Sequence, residues 1–360
     1  MEIIIGLAKE AGVIIGKDIF VTDERFYDRV LSEGSLGLGE SYMEGWWIEG
    51  DMSLDELAYR VQKCNIKQRL MEQSWRVKLQ LLTSWLYRKL YPVNVKDGKL
   101  VGLQHYDLGN DFFEQMLGPS MIYSCGYFKG TDDLYQAQIN KVNLIKEKLK
   151  LKRGDRVLDI GCGWGSIAGL LAEQGIVVEG LTISKEQYKY ACEKYPDVKF
   201  ILADYRDMHT EERYDAIFSV GMFEHVNHEN YVTYMNFVDR MLKPEGMFLL
   251  HTIGRNDSSI VCEPWISKYI FPNSALPSLS QITQAAENLF VVEDVENFGP
   301  DYDKTLMCWY EKCVYNDKPE EFIRMWRYYL LMCAGNFRSR KCQLYQVVLS
   351  KHREVKYERI

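Results

Sequence analysis

The segment RVLDIGCGWG, residues 156–165, decides the fold class. An apolar run reaches Asp159, and the alternating glycines Gly161, Gly163 and Gly165 follow before an amphipathic stretch begins. This pattern predicts a buried strand that turns tightly into a helix, because glycine lets the backbone bend sharply and approach a ligand closely. The spacing is GxGxG and a carboxylate precedes it, which favours a cationic ligand over a pyrophosphate.

Similar apolar runs of strand length recur along the chain and alternate with amphipathic stretches of helical length. After residues 156–161 they occupy residues 177–184, 199–205, 216–222, 247–254, 290–299 and 343–351. Short, nearly continuous apolar strands separated by helices are typical of a parallel sheet that is covered on both faces. We therefore predict an α/β fold with a seven-stranded, mostly parallel, Rossmann-like sheet, whose ligand lies at the carboxyl ends of the strands.

Charge and turn composition predict the domain organisation. Residues 1–59 carry a net charge of −9, whereas residues 60–91 carry +7. We predict a smaller, mainly helical N-terminal domain over residues 1–92, a polar linker over 93–104 and the sheet domain over 105–360. The aromatic segment 255–285 interrupts the strand–helix alternation, and we interpret it as an insertion that covers an apolar ligand.

The basic stretch 60–91 has the spacing of an amphipathic helix. Leu70, Val77, Leu81 and Trp85 form its apolar stripe. The basic residues that lie among them include Lys67, Arg76, Lys78 and Arg88. Such a helix either lies in the interface of an anionic bilayer or packs on a neighbouring element with a solvated charged face.

The composition excludes several classes of protein. The net charge of −7 argues against a general nucleic-acid binder, and no apolar run approaches the ~20 residues of a membrane-spanning helix. The nine cysteines are scattered without CxxC pairs, so we expect reduced thiols, a cytoplasmic protein and no metal site. Aromatic residues make up 13% of the chain, which fits either an aromatic core or a site that holds an apolar or cationic species.

The glycine-rich segment and two later strand ends resemble class I S-adenosylmethionine-dependent methyltransferases. The resemblance implies that Gly161, Gly163 and Gly165 line the cofactor and that Asp159 lies near its amino-acid portion. It also implies further contacts at the next two strand ends, with Thr182 and Gln187 at the ribose and with Asp204 and Tyr205 at the adenine. Ser184 is better explained as a helix cap.

Seven further segments are similar to the cyclopropane-fatty-acyl-phospholipid synthases. They are residues 33–43, 105–113, 121–128, 221–226, 249–254, 265–272 and 298–303. The resemblance implies a bound bicarbonate ion held by Cys125, Glu224, His251, Tyr302 and the backbone of Ile253. It adds Tyr123 and Ser124 to the cofactor site, and it marks Cys333 as a family cysteine that we interpret as structural.

This resemblance implies an enzyme that converts cis double bonds of unsaturated membrane phospholipids into cyclopropane rings. S-adenosylmethionine is the expected donor, and bicarbonate is the expected base. The enzyme is expected on the inner face of the membrane as a peripheral protein, with a homodimer as a further possibility. Two alternatives stay open: a methyltransferase that gives a methyl-branched or N-methylated product, and a non-catalytic lipid-binding module that keeps the fold.

Overall fold

The structure is a computed structural model that describes residues 1–64, 109–208, 213–272, 274–315, 318–351 and 357–360. The chain forms two compact units. The first contains residues 1–112, 262–273 and 306–341, and the second contains residues 113–261, 274–305 and 342–360. Most of the predicted basic helix and the whole linker 93–104 lie outside the described residues.

The described residues contain nine strands and thirteen α-helices, which we number in chain order. The strands are β1 (Ile19–Val21), β2 (Trp47–Glu49), β3 (Arg156–Ile160), β4 (Val177–Thr182), β5 (Lys199–Leu202), β6 (Tyr214–Val220), β7 (Leu242–Arg255), β8 (Val291–Asn297) and β9 (Cys342–Ser350). The helices are α1 (Glu2–Glu10), α2 (Arg25–Glu33), α3 (Ser35–Met43), α4 (Leu54–Lys63), α5 (Asn110–Leu117), α6 (Leu134–Lys148), α7 (Ser166–Ala172), α8 (Lys185–Lys194), α9 (Tyr231–Met241), α10 (Pro264–Tyr269), α11 (Leu279–Ala286), α12 (Gly299–Lys312) and α13 (Glu320–Arg338).

The first unit includes two segments that the sequence analysis placed in the domain 105–360. Helix α10 belongs to it because Trp265 is buried against Tyr328, with ring centroids 4.6 Å apart, and because Lys268 donates to Glu40 of α3 at 2.6 Å. Helix α13 belongs to it because its Gly335 lies against the backbone of α4. This grouping differs from the predicted boundaries. An apolar helix face predicts that the helix is buried, but it does not predict which element the helix packs against.

The predicted insertion 255–285 is therefore divided between the two units. Its first helix, α10, belongs to the first unit, whereas α11 packs into the core of the second unit through Ile282, Ala285 and Ala286. Its contact with an acyl chain stays a prediction.

Gly335 lets α13 approach α4, and this contact gives a test of the packing. A Cβ at position 335 would lie too close to the carbonyl oxygen of Asp55 and 2.5 Å from the Cβ of Ala58. We expect Gly335→Ala to lower the free energy of unfolding by about 1–3 kcal/mol, because overpacking outweighs the gain in helix propensity. The matched control is Gly6→Ala in α1, where a Cβ meets nothing within 4 Å and a gain of about 0.5–1 kcal/mol is expected. Urea unfolding of both variants measures the difference, and equal effects would contradict the packing argument.

The second unit contains the predicted seven-stranded sheet, in the order β5-β4-β3-β6-β7-β9-β8. Strands β5 to β7 pair in parallel, and β9 runs antiparallel between β7 and β8. Alternate residues of one strand face different cores, since Leu158 lies in one buried cluster and Val157 in the other. The two covered faces confirm the predicted fold class and direct attention to the carboxyl ends of the parallel strands.

Candidate active site

The glycine turn follows β3 at the carboxyl end of the sheet. Gly161 and Gly163 adopt φ values of +86° and +55°, in the region that favours glycine. A Cβ on Gly161 would lie 2.6 Å from the Cβ of Met222, whereas a Cβ on Gly163 would meet only the Nε2 of Gln187, at 4.0 Å. Gly161 is thus required for packing, and Gly163 leaves space beside the turn for a ligand.

Gly165 has a packing role, and its predicted cofactor contact stays a prediction. Its φ is +81°, and a Cβ there would point at the ring of Phe200 (2.6 Å) and at Ala191 (2.9 Å). The third glycine therefore brings the start of α7 against the core.

Asp159 is buried at the end of β3, and its Oδ2 atom has no hydrogen-bond partner among the described residues. Burial raises the pKa of Asp159 well above its usual range, and the nearby charge of Lys141 lowers that pKa in part. A buried carboxylate oxygen without a partner is costly unless a ligand supplies a donor or a positive charge. This fits the predicted place of Asp159 beside a cationic group.

The end of β4 and the start of α8 bring the predicted ribose residues together. The Thr182 hydroxyl donates to Oε1 of Gln187 at 3.4 Å, and Gln187 also borders Gly163. Ser184 is the N-cap of α8, and its Oγ accepts from the N–H of Gln187 at 3.3 Å. The prediction that Ser184 is a cap is confirmed, and Thr182 and Gln187 remain available as predicted ribose contacts.

The end of β5 presents a carboxylate that already has a partner. Both oxygens of Asp204 accept from the Arg206 guanidinium, at 2.9 and 2.7 Å, and this contact keeps the pKa of Asp204 below its usual value. The Tyr205 ring packs edge-on against Tyr234 and Phe237, with centroids 5.2 and 5.4 Å away. The predicted adenine contact of Asp204 would therefore share that carboxylate with Arg206.

The loop 121–128 holds the other two predicted cofactor residues, Tyr123 and Ser124. The Tyr123 ring lies 5.6 Å from the ring of Phe113. Ser124 is buried, and its Oγ accepts from Nζ of Lys141 at 2.6 Å while its carbonyl accepts from Gln138 at 2.8 Å. Helix α6 therefore positions this loop through two buried polar side chains.

Lys141 is a site residue that the sequence analysis missed. Its side chain is 0% exposed, and burial lowers the pKa of its ammonium group to about 7. It interacts electrostatically with Cys125, Asp159 and His251, so one buried cation faces three predicted site residues. Its spacing of four residues from the buried Ile145 is the signal that would have predicted an inward-facing lysine.

Glu224 lies in a short 3-10 turn, residues 223–225, just after β6. The N–H of Ile253 donates to its Oε1 at 2.7 Å, while its Oε2 is buried without a partner in the described part of the chain. Burial raises the pKa of Glu224 to about 7, although the Ile253 bond opposes this shift. The N–H of Ile253 thus orients the glutamate here, and the predicted contact of the Ile253 backbone with bicarbonate stays a prediction.

His251 lies within β7 rather than at its end, because antiparallel pairing with β9 extends that strand to Arg255. It is opposite Val220, the last residue of β6 that pairs with β7, so it still faces the carboxyl edge of the parallel strands. Its Nε2 is buried and lacks a partner within the described ranges. Burial, together with the charges of Lys141 and Lys148, lowers the pKa of His251 well below its usual value, and the ring is neutral at pH 7.

Cys125 and Tyr302 are brought to the same region by helix α12. Thr305 of that helix accepts from the N–H of Gly126 at 3.0 Å, and its hydroxyl contacts Sγ of Cys125 at 3.7 Å. Tyr302 lies one turn earlier in α12 and is buried. Burial raises the pKa of the Cys125 thiol, so it is a neutral hydrogen-bond donor rather than a thiolate.

Cys333 belongs to a different unit from these residues. It is half-buried in α13 of the first unit, whereas the other five predicted catalytic positions belong to the second unit. The described residues contain no cluster of three metal-binding side chains and no helix long and apolar enough to cross a membrane.

The buried atoms without partners provide a test of the implied ligands. The carboxylate Oδ2 of Asp159 lies beside the glycine turn and suits a positively charged group of S-adenosylmethionine. Glu224 and neutral His251 offer one acceptor and one donor. The Cys125 thiol donates to the carbonyl of Gly126 at 3.1 Å, so it would offer a second donor only on turning away from that carbonyl. This donor set fits a small oxyanion that carries one proton, as bicarbonate does.

Comparison with known proteins places this site in a family. The family described as mycolic acid cyclopropane synthetase matches residues 96–347. The chain is 49% identical over 358 residues to the cyclopropane-fatty-acyl-phospholipid synthase of Escherichia coli K12, with 96% of this chain and 92% of that protein covered.

Two solved structures agree with this assignment. The mycolic acid cyclopropane synthase CmaA1 complexed with S-adenosylhomocysteine and CTAB matches with 32% identity and a TM-score of 0.64, over 72% of this chain and 98% of that one. The cyclopropane synthase MmaA2 of Mycobacterium tuberculosis matches with 30% identity and the same TM-score and coverage. With a family match over most of its length and a full-length relative at this identity, the chain belongs to the cyclopropane synthase family.

Proposed function

We propose that this protein is an S-adenosylmethionine-dependent transferase that adds a methylene group across the cis double bond of unsaturated phospholipid acyl chains. The products are a cyclopropane acyl chain, S-adenosylhomocysteine and a proton. The family membership and the 49% identity to a full-length cyclopropane-fatty-acyl-phospholipid synthase support this function.

The observation that carries the proposal is a pair of buried polar atoms: Oε2 of Glu224, in the turn after β6, and Nε2 of His251, on the adjacent strand β7. Both lie at the carboxyl edge of the sheet, next to the glycine turn that is predicted to bind the cofactor. When a hydroxyl or amine is methylated, the proton that leaves comes from a heteroatom and can pass to water. A cyclopropanation needs a proton acceptor in the site, because the transferred methyl group must lose a proton to close the ring.

S-adenosylmethionine supplies an electrophilic methyl group when it is bound, and bicarbonate supplies a base that is not easily methylated. The π electrons of the alkene form the new carbon–carbon bond, the sulfur–carbon bond breaks, and the lipid chain becomes transiently cationic. Glu224 accepts a hydrogen bond at its Oε2 and so makes a protonated anion a stronger base, while His251 and Cys125 donate to that anion. Aromatic rings around the site exclude water and stabilise a cation without acting as nucleophiles.

The extent of the matches favours a phospholipid substrate. The Escherichia coli phospholipid synthase covers 96% of this chain, whereas the mycolic acid synthases CmaA1 and MmaA2 cover 72%. The more extensive match to the phospholipid synthase therefore favours a phospholipid substrate. The CTAB in the CmaA1 complex is a long-chain amphiphile, in keeping with lipid substrates for that relative.

The test uses the full chain, S-adenosylmethionine labelled with ¹³C in the methyl group, and vesicles of a cis-unsaturated phospholipid. We expect NMR of the extracted lipid to show the loss of olefinic protons and the appearance of labelled ring-methylene signals. Labelled methyl signals would instead identify a methyltransferase that stops at a branched product. Cofactor binding without any transfer would support the lipid-binding alternative.

We further propose that the basic residues of segment 60–91 dock the enzyme on an anionic membrane. Those used in the test, Lys67, Arg76, Lys78 and Arg88, lie outside the described residues, so this proposal depends on the sequence pattern alone. A homodimer formed through the N-terminal domain stays a separate prediction, which sedimentation measures.

We expect a charge reversal at any one of these four residues to weaken binding to anionic vesicles at least about fivefold, since each surface cation contributes ~1 kcal/mol. Cofactor affinity should change much less. Vesicle sedimentation and calorimetry measure the two affinities, with Lys152→Glu, at an exposed residue outside the segment, as the control. An equal loss of vesicle binding in the control, or an equal loss of cofactor binding, would contradict membrane docking by this segment.

A further inference from the structure

Strand β9 places a buried glutamine directly opposite the site histidine. Gln346 and His251 are register partners in the antiparallel pairing of β7 and β9, and they are 0% and 1% exposed. The chemistry described above makes no use of Gln346. A fully buried amide next to a site residue needs a reason, because an unsatisfied polar group costs free energy in the interior.

The contact between the two side chains joins the amide nitrogen of Gln346 to one ring nitrogen of His251, while Oε1 of Gln346 is buried without a partner among the described residues. Nε2 of Gln346 lies 3.5 Å from Nδ1 of His251, at the long end of hydrogen-bond distances. An amide nitrogen donates and does not accept, so Nδ1 is the acceptor in this arrangement. Since the imidazole is neutral and carries one proton, that proton must then be on Nε2.

The position of this proton decides what His251 offers to the site. With the proton on Nε2, the buried atom that lacks a partner is a donor. With the proton on Nδ1, the same atom presents a lone pair, which repels the unprotonated oxygen atoms of an anion. The site therefore needs one tautomer of His251, and the neighbour of Nδ1 selects it.

We propose that Gln346 is a positioning residue that holds His251 as the Nε2–H tautomer, so that the imidazole donates to an anion in the site. This inference rests on the proposed function for its purpose, but the tautomer itself does not depend on turnover. It assigns a role to a residue whose amide contacts the site histidine. Lys141 and Lys148 favour the neutral ring that this assignment requires, because their charges oppose a second proton on it.

Two variants at position 346 separate this role from simple packing. Gln346→Glu replaces the donor with a carboxylate that accepts, so we expect the proton of His251 to move to Nδ1. Glu296 is the register partner of Gln346 on β8 and accepts from Lys148 at 2.6 Å, so this variant places two carboxylates on adjacent strands and also tests folding. Gln346→Met keeps the shape without a charge, and we expect a mixture of the two tautomers.

The measurement is ¹⁵N NMR of histidine-labelled protein without lipid, with the signals of His251 identified by their loss in His251→Gln. The wild-type protein should show a protonated Nε2, and both variants at position 346 should shift the signal toward protonated Nδ1. Turnover on unsaturated vesicles should fall on the order of tenfold to a hundredfold, as when an orienting partner of a site histidine is lost. Affinity for S-adenosylhomocysteine should stay within about twofold, in the range of independent sites.

A proton on Nδ1 in the wild type, or an unchanged His251 signal in both variants, would overturn the assignment of Gln346. A correct tautomer together with no cyclopropane product from the wild type would instead refute the proposed function alone.

Discussion

Glu224→Gln should lower the turnover of unsaturated phospholipid by about 10²-fold or more, the usual contribution of a positioned acid–base group. The substitution keeps the shape of the side chain and the bond from the N–H of Ile253 to Oε1. It replaces Oε2, which has no partner in the described residues, with an NH₂ group that donates. The variant therefore cannot accept a hydrogen bond from the hydroxyl group of an anion at that atom. Affinity for S-adenosylmethionine should stay within a few-fold of the wild-type value.

The control is Glu229→Gln, an exposed glutamate five residues further along the chain. It should leave both turnover and cofactor affinity unchanged. Added bicarbonate should not restore Glu224→Gln, because the defect lies in the acceptor and not in the occupancy of the site. Wild-type turnover in Glu224→Gln would remove this residue from the proposed chemistry, whereas full recovery with bicarbonate would limit its role to anion affinity.

The same residue determines an expected pH dependence. Burial raises the pKa of Glu224 to about 7, and only the ionised carboxylate accepts at both oxygens. The turnover of the wild-type enzyme should therefore fall as the pH drops below about 7. This decline at low pH should be absent from the residual activity of Glu224→Gln. An identical pH profile in the two proteins would assign the decline to another group.

The strands were predictable from sequence because each is a short, nearly continuous apolar run that a sheet with two covered faces requires. The runs over residues 156–161 and 177–184, for example, correspond to β3 and β4. The insertion of β9 between β7 and β8 was not predictable, since apolar runs do not say which strands pair. That pairing matters for the site because it brings Gln346 opposite His251.

The site residues at strand ends and glycine turns were also predictable, because these positions lie together at the carboxyl edge of a parallel sheet. Asp159 and Glu224 are examples. Lys141 and Thr305 were missed because a single lysine or threonine in a helix usually faces solvent or its own backbone. Their roles depend on which face of α6 or α12 is buried, and only tertiary packing decides that.

Asp159→Asn, at the predicted cofactor end of the site, should have opposite effects on ligand affinity and on stability. Affinity for both S-adenosylmethionine and S-adenosylhomocysteine should fall about tenfold to a hundredfold, the cost of losing a hydrogen bond to a charged group. The partnerless Oδ2 is the atom concerned, and the two ligands share the amino-acid portion that it is predicted to contact. Calorimetric titration of the full chain measures both affinities.

The unliganded variant should resist unfolding better than the wild type. Because burial raises the pKa of Asp159 in the folded chain, ionisation opposes folding, and the associated stability is lost as the pH rises through that pKa. An asparagine does not ionise, so the advantage of the variant should grow between pH 5 and pH 8. Thermal unfolding at these two pH values measures it.

Asp215→Asn is the matched control, since it makes the same substitution near the start of β6, where the carboxylate accepts from Lys243 at 2.6 Å and from the N–H of Arg156 at 2.9 Å. These partners lower the pKa of Asp215, so its ionisation favours folding and its loss should destabilise the chain at pH 8 without changing cofactor affinity. A stability change of opposite sign in the two variants would show that the carboxylate of Asp159 serves ligand binding and lowers the stability of the unliganded protein. Lower stability in both variants, or unchanged affinity in Asp159→Asn, would instead make Asp159 an ordinary structural carboxylate.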